Sequence, residues 1–505
     1  MPLKGENEVV YDYEGGDEMS RKYRYKFYQK IYEKISDIRR DAKKVGEGIG
    51  VGDLRNEIGL YTGSSSCPGP MAKSAIEAIV EANKTPIMPL RNVEDQLRDL
   101  VKDLFGDDFD GASVCTCEAA LRVCFEILFS PPTMRKGDSY RARYIVPYEE
   151  DFDFTGFYGR PFPPKYKNLI TDRSASAGEL GIEGKSISNL ESILIKLYGA
   201  RYEVHGIKYN TVPLLTRTDS QKSYERIVEK ANMHSHLLSG FATIGYDTPG
   251  YGYSEKDEKG VPTLKKLIGN FAVELDLPYL IDCASGVPSF GYKLEDVNAD
   301  VMMWSMDKMV HAPTSGLIVG KEEAMVPIRK GLGLGGQRYG EVSSHSKGVF
   351  SCFDPGRDAL IGQISILETL RDEPNKIKRP IDDMHRLIEK EFNSSTLDPF
   401  KDDLIITKSY TMGGIEVNYS ETWHEDNFGI PIFTSEDLFA NTNPIMIATE
   451  EMGIYPPLIY SGNIFLGPGL GNLDEDGELI KEDTSIALRG LVKSIELVCK
   501  HADLI

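Results

Sequence analysis

The sequence predicts an α/β protein built on a mostly parallel sheet, with a smaller α+β domain in its carboxyl-terminal third. Three observations carry this. From about residue 56 to 370, short β-branched or aromatic runs alternate with helical stretches, the pattern of βαβ units. Two apolar runs in that stretch end on an acid and a lysine, where a parallel sheet opens on its ligand. After residue 371 the alternation stops and helices flank isolated strand-like runs.

Taken in order, residues 1–55 read as an arm. An acidic start, Tyr11 to Glu18, leads into a helix from about Ser20 to Lys44, with Tyr23, Phe27, Ile31, Ile35 and Ile38 along one face. Its other face is basic; the helix is expected to pack on the body or on a second subunit, the alternative being a face for RNA or an acidic partner. In residues 56–370 the expected strands are Arg143–Val146, Leu237–Ile244, Tyr279–Ile281, Val301–Trp304 and Leu317–Val319. Helices are expected at Met71–Ala82, Val93–Leu104, Thr263–Leu275 and Arg357–Arg371. In residues 371–505 they fall at about Ile381–Glu391, Ser435–Thr442 and Thr484–His501, with strands at Leu404–Thr407 and Gly414–Asn418.

Bulk composition excludes several classes. With 58 Lys and Arg against 78 Asp and Glu, the net charge of −20 repels polyanions, so nucleic acid is not expected as a partner. The local exception is the basic stretch from Arg21 to Lys44. Apolar runs are too short to span a bilayer, and the polar amino terminus gives no secretory signal, so a cytoplasmic protein is expected. Seven scattered cysteines suit free thiols. Neither the C-x-C at Cys115 and Cys117 nor the pair His234 and His236 has the further ligands of a metal site.

The segment 277–320 carries the chemistry. The run Tyr279-Leu-Ile281 delivers Asp282 to its end, where a buried acid requires a partner. A second run, Val301–Trp304, delivers Ser305-Met-Asp-Lys308. Alone, such a pair reads as a structural ion pair. An aldehyde cofactor requires a partly buried nucleophilic lysine, an acid for its ring nitrogen and a phosphate cradle. The cradle candidate is GASVCTCEAALRVCF (111–125), a turn of small polar residues opening into a helix at Glu118–Leu128, with Ser113, Thr116 and Cys117 as donors.

The string SMDKMVHAPTSGLIVG (305–320) resembles the lysine motif of bacterial selenocysteine synthases (L-seryl-tRNA selenium transferases) and their aminosugar-acid ammonia-lyase relatives, with Lys308, Pro313 and Gly316 at that family's spacing. IDCASG (281–286), GLYTGSSSCPGPMAKSAIEAI (59–79), FDGASVCTCEAALRV (109–123) and GRDALIGQISILETL (356–370) resemble further segments of the family in the same order. IDCASG is more distantly similar to class V aminotransferases and cysteine desulfurases. The resemblance implies a pyridoxal 5'-phosphate enzyme of the aspartate-aminotransferase fold (fold type I), with Lys308 as the Schiff-base lysine and proton shuttle and Asp282 on the pyridine nitrogen. It further implies Ala284 against one ring face, Tyr148 or Phe152 on the other, and Ser113, Thr116, Cys117 and Ser305 around the phosphate. Cys115 and Cys117 in the turn, and His311 and Ala312 after the lysine, replace family glycines.

The expected activity is a lyase or β-replacement on a small amino acid or phosphorylated amino compound, in a homodimer or higher homo-oligomer. The alternatives are a class V aminotransferase or desulfurase, and a non-catalytic RNA-binding or scaffold relative. Arg338 and Arg357 are the candidates for gripping a substrate carboxylate or phosphate. Cys352 reads as a buried thiol or, under the desulfurase alternative, as its persulfide-forming nucleophile, and the G-x-G-x-x-G of Gly331, Gly333 and Gly336 as a glycine loop, since no strand precedes it.

Overall fold

The computed structural model describes residues 31, 33–62, 67–129, 143–147, 208–212, 219–233, 235, 238–248, 253, 255–334, 350–422, 429–431, 444–460 and 462–505, with backbone alone at 143–147, 208–212, 420 and 460. The chain enters through helices α1 (Ile35–Gly48), α2 (Lys73–Ala82) and α3 (Leu90–Phe105). Strand β1 (Phe109–Val114) runs into helix α4 (Cys117–Cys124), followed by β2 (Arg143–Pro147) and β3 (Lys208–Val212). Then come α5 (Ser220–Met233), β4 (Leu238–Ile244), α6 (Thr263–Glu274), β5 (Tyr279–Asp282), β6 (Val301–Ser305) and β7 (Gly316–Lys321). Helices α7 (Glu322–Leu332), α8 (Arg357–Asp372) and α9 (Asn375–Asn393) lead to the second sheet. That sheet comprises β8 (Ile405–Ser409), β9 (Gly414–Asn418), β10 (Leu458–Tyr460) and β11 (Asn463–Leu466), with helices α10 (Pro444–Glu451) and α11 (Lys481–His501) beside it.

The large sheet has the order β1-β7-β6-β5-β4-β2-β3. β7 pairs antiparallel with both β1 and β6, whereas β2, β3, β4, β5 and β6 pair in parallel. Six strands therefore share one direction and end on one edge, and β7 alone is reversed. In parallel register, Ile244 lies beside Asp282 and Asp282 beside Met303. This is the mostly parallel sheet that the sequence predicts. Buried residues fill every position of β4, β5 and β6, as a sheet covered on both faces requires. The second sheet, β10-β11-β9-β8, is entirely antiparallel.

Two apolar clusters organise these layers. One lies around the large sheet; the other joins Ile38 and Ala42 of α1 to Ile415 and Val417 of β9, Met452, and Leu488 of α11. Helix α1 thus packs on the carboxyl-terminal sheet, with Arg39 bonded to Glu451 at 2.5 Å and His501 Nε2 3.2 Å from Asp41. It runs to Gly48, beyond the expected end at Lys44, and its expected portion before residue 31 lies outside the described residues. So does the expected helix at 435–442, apart from the nearby α10.

Two differences from the sequence reading have local causes. β1 occupies Phe109–Val114 and α4 starts at Cys117, so the turn expected between 111 and Glu118 shrinks to Cys115 and Thr116. Helix α9 starts before Pro380 rather than after it, because the buried proline ring packs in the core while the turns on either side continue. No helix among the described residues is long and apolar enough to cross a membrane.

Candidate active site

Asp282 closes β5 with 8% of its surface exposed. Its Oδ1 accepts from the Ala284 N–H at 2.9 Å, a tight turn that leads the chain off the sheet edge. The same oxygen lies 3.9 Å from Cys117 Sγ, at the first residue of α4. The first residue of α4 therefore lies against this carboxylate.

One strand over, the Ser305 N–H donates to the Ala284 carbonyl at 3.1 Å, tying the two strand ends together. Beyond β6, bonds from Met306 N to Ser315 O (2.9 Å) and from Ala312 N to Met306 O (2.8 Å) close a loop that carries the half-buried Lys308. Ser305 donates its hydroxyl to Asp307 Oδ1 at 2.6 Å.

The amino-terminal segment completes this face. Tyr61 is buried beside Lys308 and Ser285; burial pushes its hydroxyl pKa up, while the Lys308 charge and the Ser285 hydroxyl pull it back. The phenol approaches Ser285 without a well-formed hydrogen bond, leaving a buried donor unsatisfied. The Thr62 hydroxyl sits between Met309 Sδ (3.3 Å) and the Pro468 carbonyl (3.2 Å). His311, at φ +55°, is wedged between Gly69 and Gly469; burial lowers its pKa to about 4, so it is neutral at pH 7. Its Nδ1 has no hydrogen-bond partner.

The second sheet closes the site from the other side. The Val287 N–H donates to the Tyr410 carbonyl at 2.8 Å. Gly413, at φ +79°, lies against the Ser285 carbonyl and Met309, and a Cβ there would stand 1.6 Å from that oxygen. Only glycine satisfies both the left-handed backbone and this approach.

The structure thus brings together Asp282, Ala284, Cys117, Ser305 and Lys308. Thr116 caps α4, its Oγ1 accepting from the Ala119 N–H at 3.0 Å, and its hydroxyl also engages the Cys115 sulfur. Ser113 is placed differently from expectation. It lies within β1, two residues from Gly111, and shares that residue's face, which packs on Val101 of α3. Its buried hydroxyl has no partner there and does not belong to the turn. Arg357 is likewise away from this cluster: its guanidinium bonds Asn83 and, at 3.0 Å, Asp358 on the surface of α8. Cys352, expected to be buried, is exposed. Tyr148, Phe152, Arg338, His234 and His236 lie outside the described residues.

Sequence reasoning assigned no role to Tyr61, Thr62 or Ser285, and treated His311 only as a departure from glycine. Their signal is faint, because each joins the site through contacts between segments remote in the chain.

A pyridoxal phosphate group fits these residues. A buried phenol without a partner is disfavoured by about 1–3 kcal/mol, and an oxygen of a bound group beside Lys308 would satisfy it. Amine, carboxylate and helix terminus are the three elements that such a cofactor requires.

No family model and no curated protein matches the chain. Among solved structures, it is similar to the SepCysS–SepCysE N-terminal domain complex, at 12% identity over 88% of this chain and 96% of that one, with a TM-score of 0.49. A D-glucosaminate-6-phosphate ammonia-lyase matches at 13% identity over 87% and 95%, with a TM-score of 0.43. The cysteine desulfurase CsdA from Escherichia coli matches at 14% identity over 87% and 97%, with a TM-score of 0.46.

Proposed function

We propose that the protein is a pyridoxal-phosphate-dependent lyase or β-replacement enzyme acting on a small amino acid or phosphorylated amino compound. The observation that carries this reading is the meeting of Asp282, Lys308 and the amino terminus of α4 at one sheet edge. The resemblance of segments 59–79, 109–123, 281–286, 305–320 and 356–370 to the selenocysteine synthase and ammonia-lyase family supports it.

When bound, the cofactor supplies an aldehyde carbon for exchange with amines and a ring that accepts electrons. Lys308, half-buried on its closed loop, provides the attacking amine and then carries a proton to and from the substrate carbon. Asp282 would pair with the ring nitrogen and hold its proton in place. Thr116 and the first turn of α4 grip the phosphate. Ser305 donates its proton to Asp307, so it would reach the phosphate only by turning that proton away. Ala284 would pack against one ring face, and the Tyr61 hydroxyl would be available to donate to an oxygen of the bound group. The net charge of −20 favours a small-molecule substrate over tRNA. Exposed Met71, Ile76 and Val80 around α2 favour a homodimer.

Borohydride reduction after loading with pyridoxal phosphate, followed by peptide mapping, tests the assignment. The label is expected on Lys308. A label on another lysine, or no stable loading, overturns the proposal.

A further inference from the structure

We infer that Cys115 and Cys352 form a reversible disulfide at the turn that opens α4, closed by a small-molecule disulfide of the glutathione class. The backbone places the two residues together. The Cys115 N–H donates to the Phe353 carbonyl at 2.9 Å, so the residue immediately before Phe353 is within reach of Cys115. A disulfide needs Cα atoms roughly 4.4–6.8 Å apart, a spacing that adjacent hydrogen-bonded segments provide.

The turn Ser351–Phe353 is held in place from both sides. Phe350 N donates to Gly331 O at 2.9 Å, and the Phe350 and Phe353 rings stack at 5.8 Å with their planes 8° apart. The Cys115 thiol feels Cys352 and Asp354 as neighbours, and burial, the largest influence, pushes its pKa up. Both thiols are free in this structure, Cys352 exposed and Cys115 half-buried.

Exposure assigns the order of events. Cys352 gives up its proton to solvent, and its thiolate attacks one sulfur of the oxidised tripeptide, expelling the other half as a thiolate. Cys115, once deprotonated, attacks the Cys352 sulfur of the mixed disulfide and expels the second tripeptide thiolate. Two protein thiols are oxidised, one small disulfide is reduced, and the two protons released protonate the leaving thiolates. The cross-link joins Ser351–Phe353 to the residue directly before the Thr116 cap. A thiol control therefore lies at the mouth of α4, whatever group that helix end binds.

The test exposes the full-length protein to oxidised glutathione, blocks remaining thiols with iodoacetamide and maps the peptides by mass spectrometry. A Cys115–Cys352 linked peptide is expected, absent in Cys352→Ser and in Cys115→Ser, with the surviving cysteine alkylated or glutathionylated. Its formation should be roughly tenfold or more faster in the folded protein than in denaturant, since the fold raises the effective concentration of the pair. A stable glutathione adduct on Cys352 with Cys115 still alkylatable overturns the inference. So does pairing of either cysteine with Cys67 or Cys117, or equal rates in folded and denatured protein. None of these readouts depends on cofactor loading.

Discussion

Cys117 Sγ stands 3.9 Å from Asp282 Oδ1, so the first residue of α4 touches the last residue of β5. Helix dipole and carboxylate meet there, and the Ala284 N–H bonds the same oxygen at 2.9 Å. Removing the charge should disarm the site without unfolding it. Asp282→Asn is expected to keep bound cofactor, seen by its absorbance. Turnover of an amino substrate that the wild type consumes should fall by about 10²–10³-fold, the scale of one lost preorganised electrostatic contact. Near-normal turnover would reduce Asp282 to a structural role.

Thr116 serves two ends at once, capping Ala119 while its hydroxyl proton, shared with the Cys115 sulfur, would turn to a bound phosphate. Thr116→Val should therefore lower stability by about 1 kcal/mol through the lost cap. It should also weaken cofactor retention by roughly 1–2 kcal/mol. Denaturant midpoints and equilibrium dialysis separate the two effects. Thr116→Ser should preserve both.

Glu94 is buried with both carboxylate oxygens lacking a hydrogen-bond partner, its nearest cation being Arg329 at 3.9 Å. Burial is the main reason its pKa rises to about 7; Arg329 opposes the rise and Asp354 adds to it. The folded protein thus holds this proton more tightly than the unfolded chain does. The stability it contributes is fully present below about pH 4.5, falls as pH rises towards 7 and stays lost above that. Glu94→Gln should remove this slope. Unfolding free energies of the two proteins should agree near pH 4.5, and at pH 8 the variant should be ahead by about 3 kcal/mol. A wild type whose stability rises from pH 5 to 8 relative to the variant contradicts this.

Helix α1 buries Ile38 and Ala42 in the second core, and Arg39 is bonded to Glu451. Deleting residues 1–45 should therefore reduce thermal stability or assembly. With a net charge of −20, salt-sensitive tRNA binding at micromolar concentration is not expected at physiological ionic strength. Filter binding at two salt concentrations checks this. Tight binding that disappears with the deletion would bring an aminoacyl-tRNA substrate to the front.

The strands that carry Asp282 and Lys308 were legible because each is an unbroken apolar run ending abruptly on a polar residue. β1 was not, for FDGASV contains an acid, a glycine and a serine. Contacts remote in sequence make it a strand. Arg98 satisfies Asp110 with bonds of 2.7 and 3.1 Å, and Gly111 lets Val101 approach so closely that a Cβ would stand 2.6 Å from its Cγ2. Tyr61 escaped notice for a similar reason. Nothing in GLYTGSSS marks the phenol as a neighbour of a lysine almost 250 positions later. Periodicity reports which face of an element is buried, and it is silent on which element covers it.

Met309, the residue after Lys308, is gripped by Thr62 from the amino-terminal segment and by the backbone at Gly413 and Gly467 from the second sheet. The fit at Gly413 leaves no slack against the Ser285 carbonyl. Any swing of the second sheet about its connections must therefore push on the loop that carries the lysine, as one toothed wheel turns another. The lysine's place is thus set jointly by both sheets and the amino-terminal segment, and none of the three can shift alone.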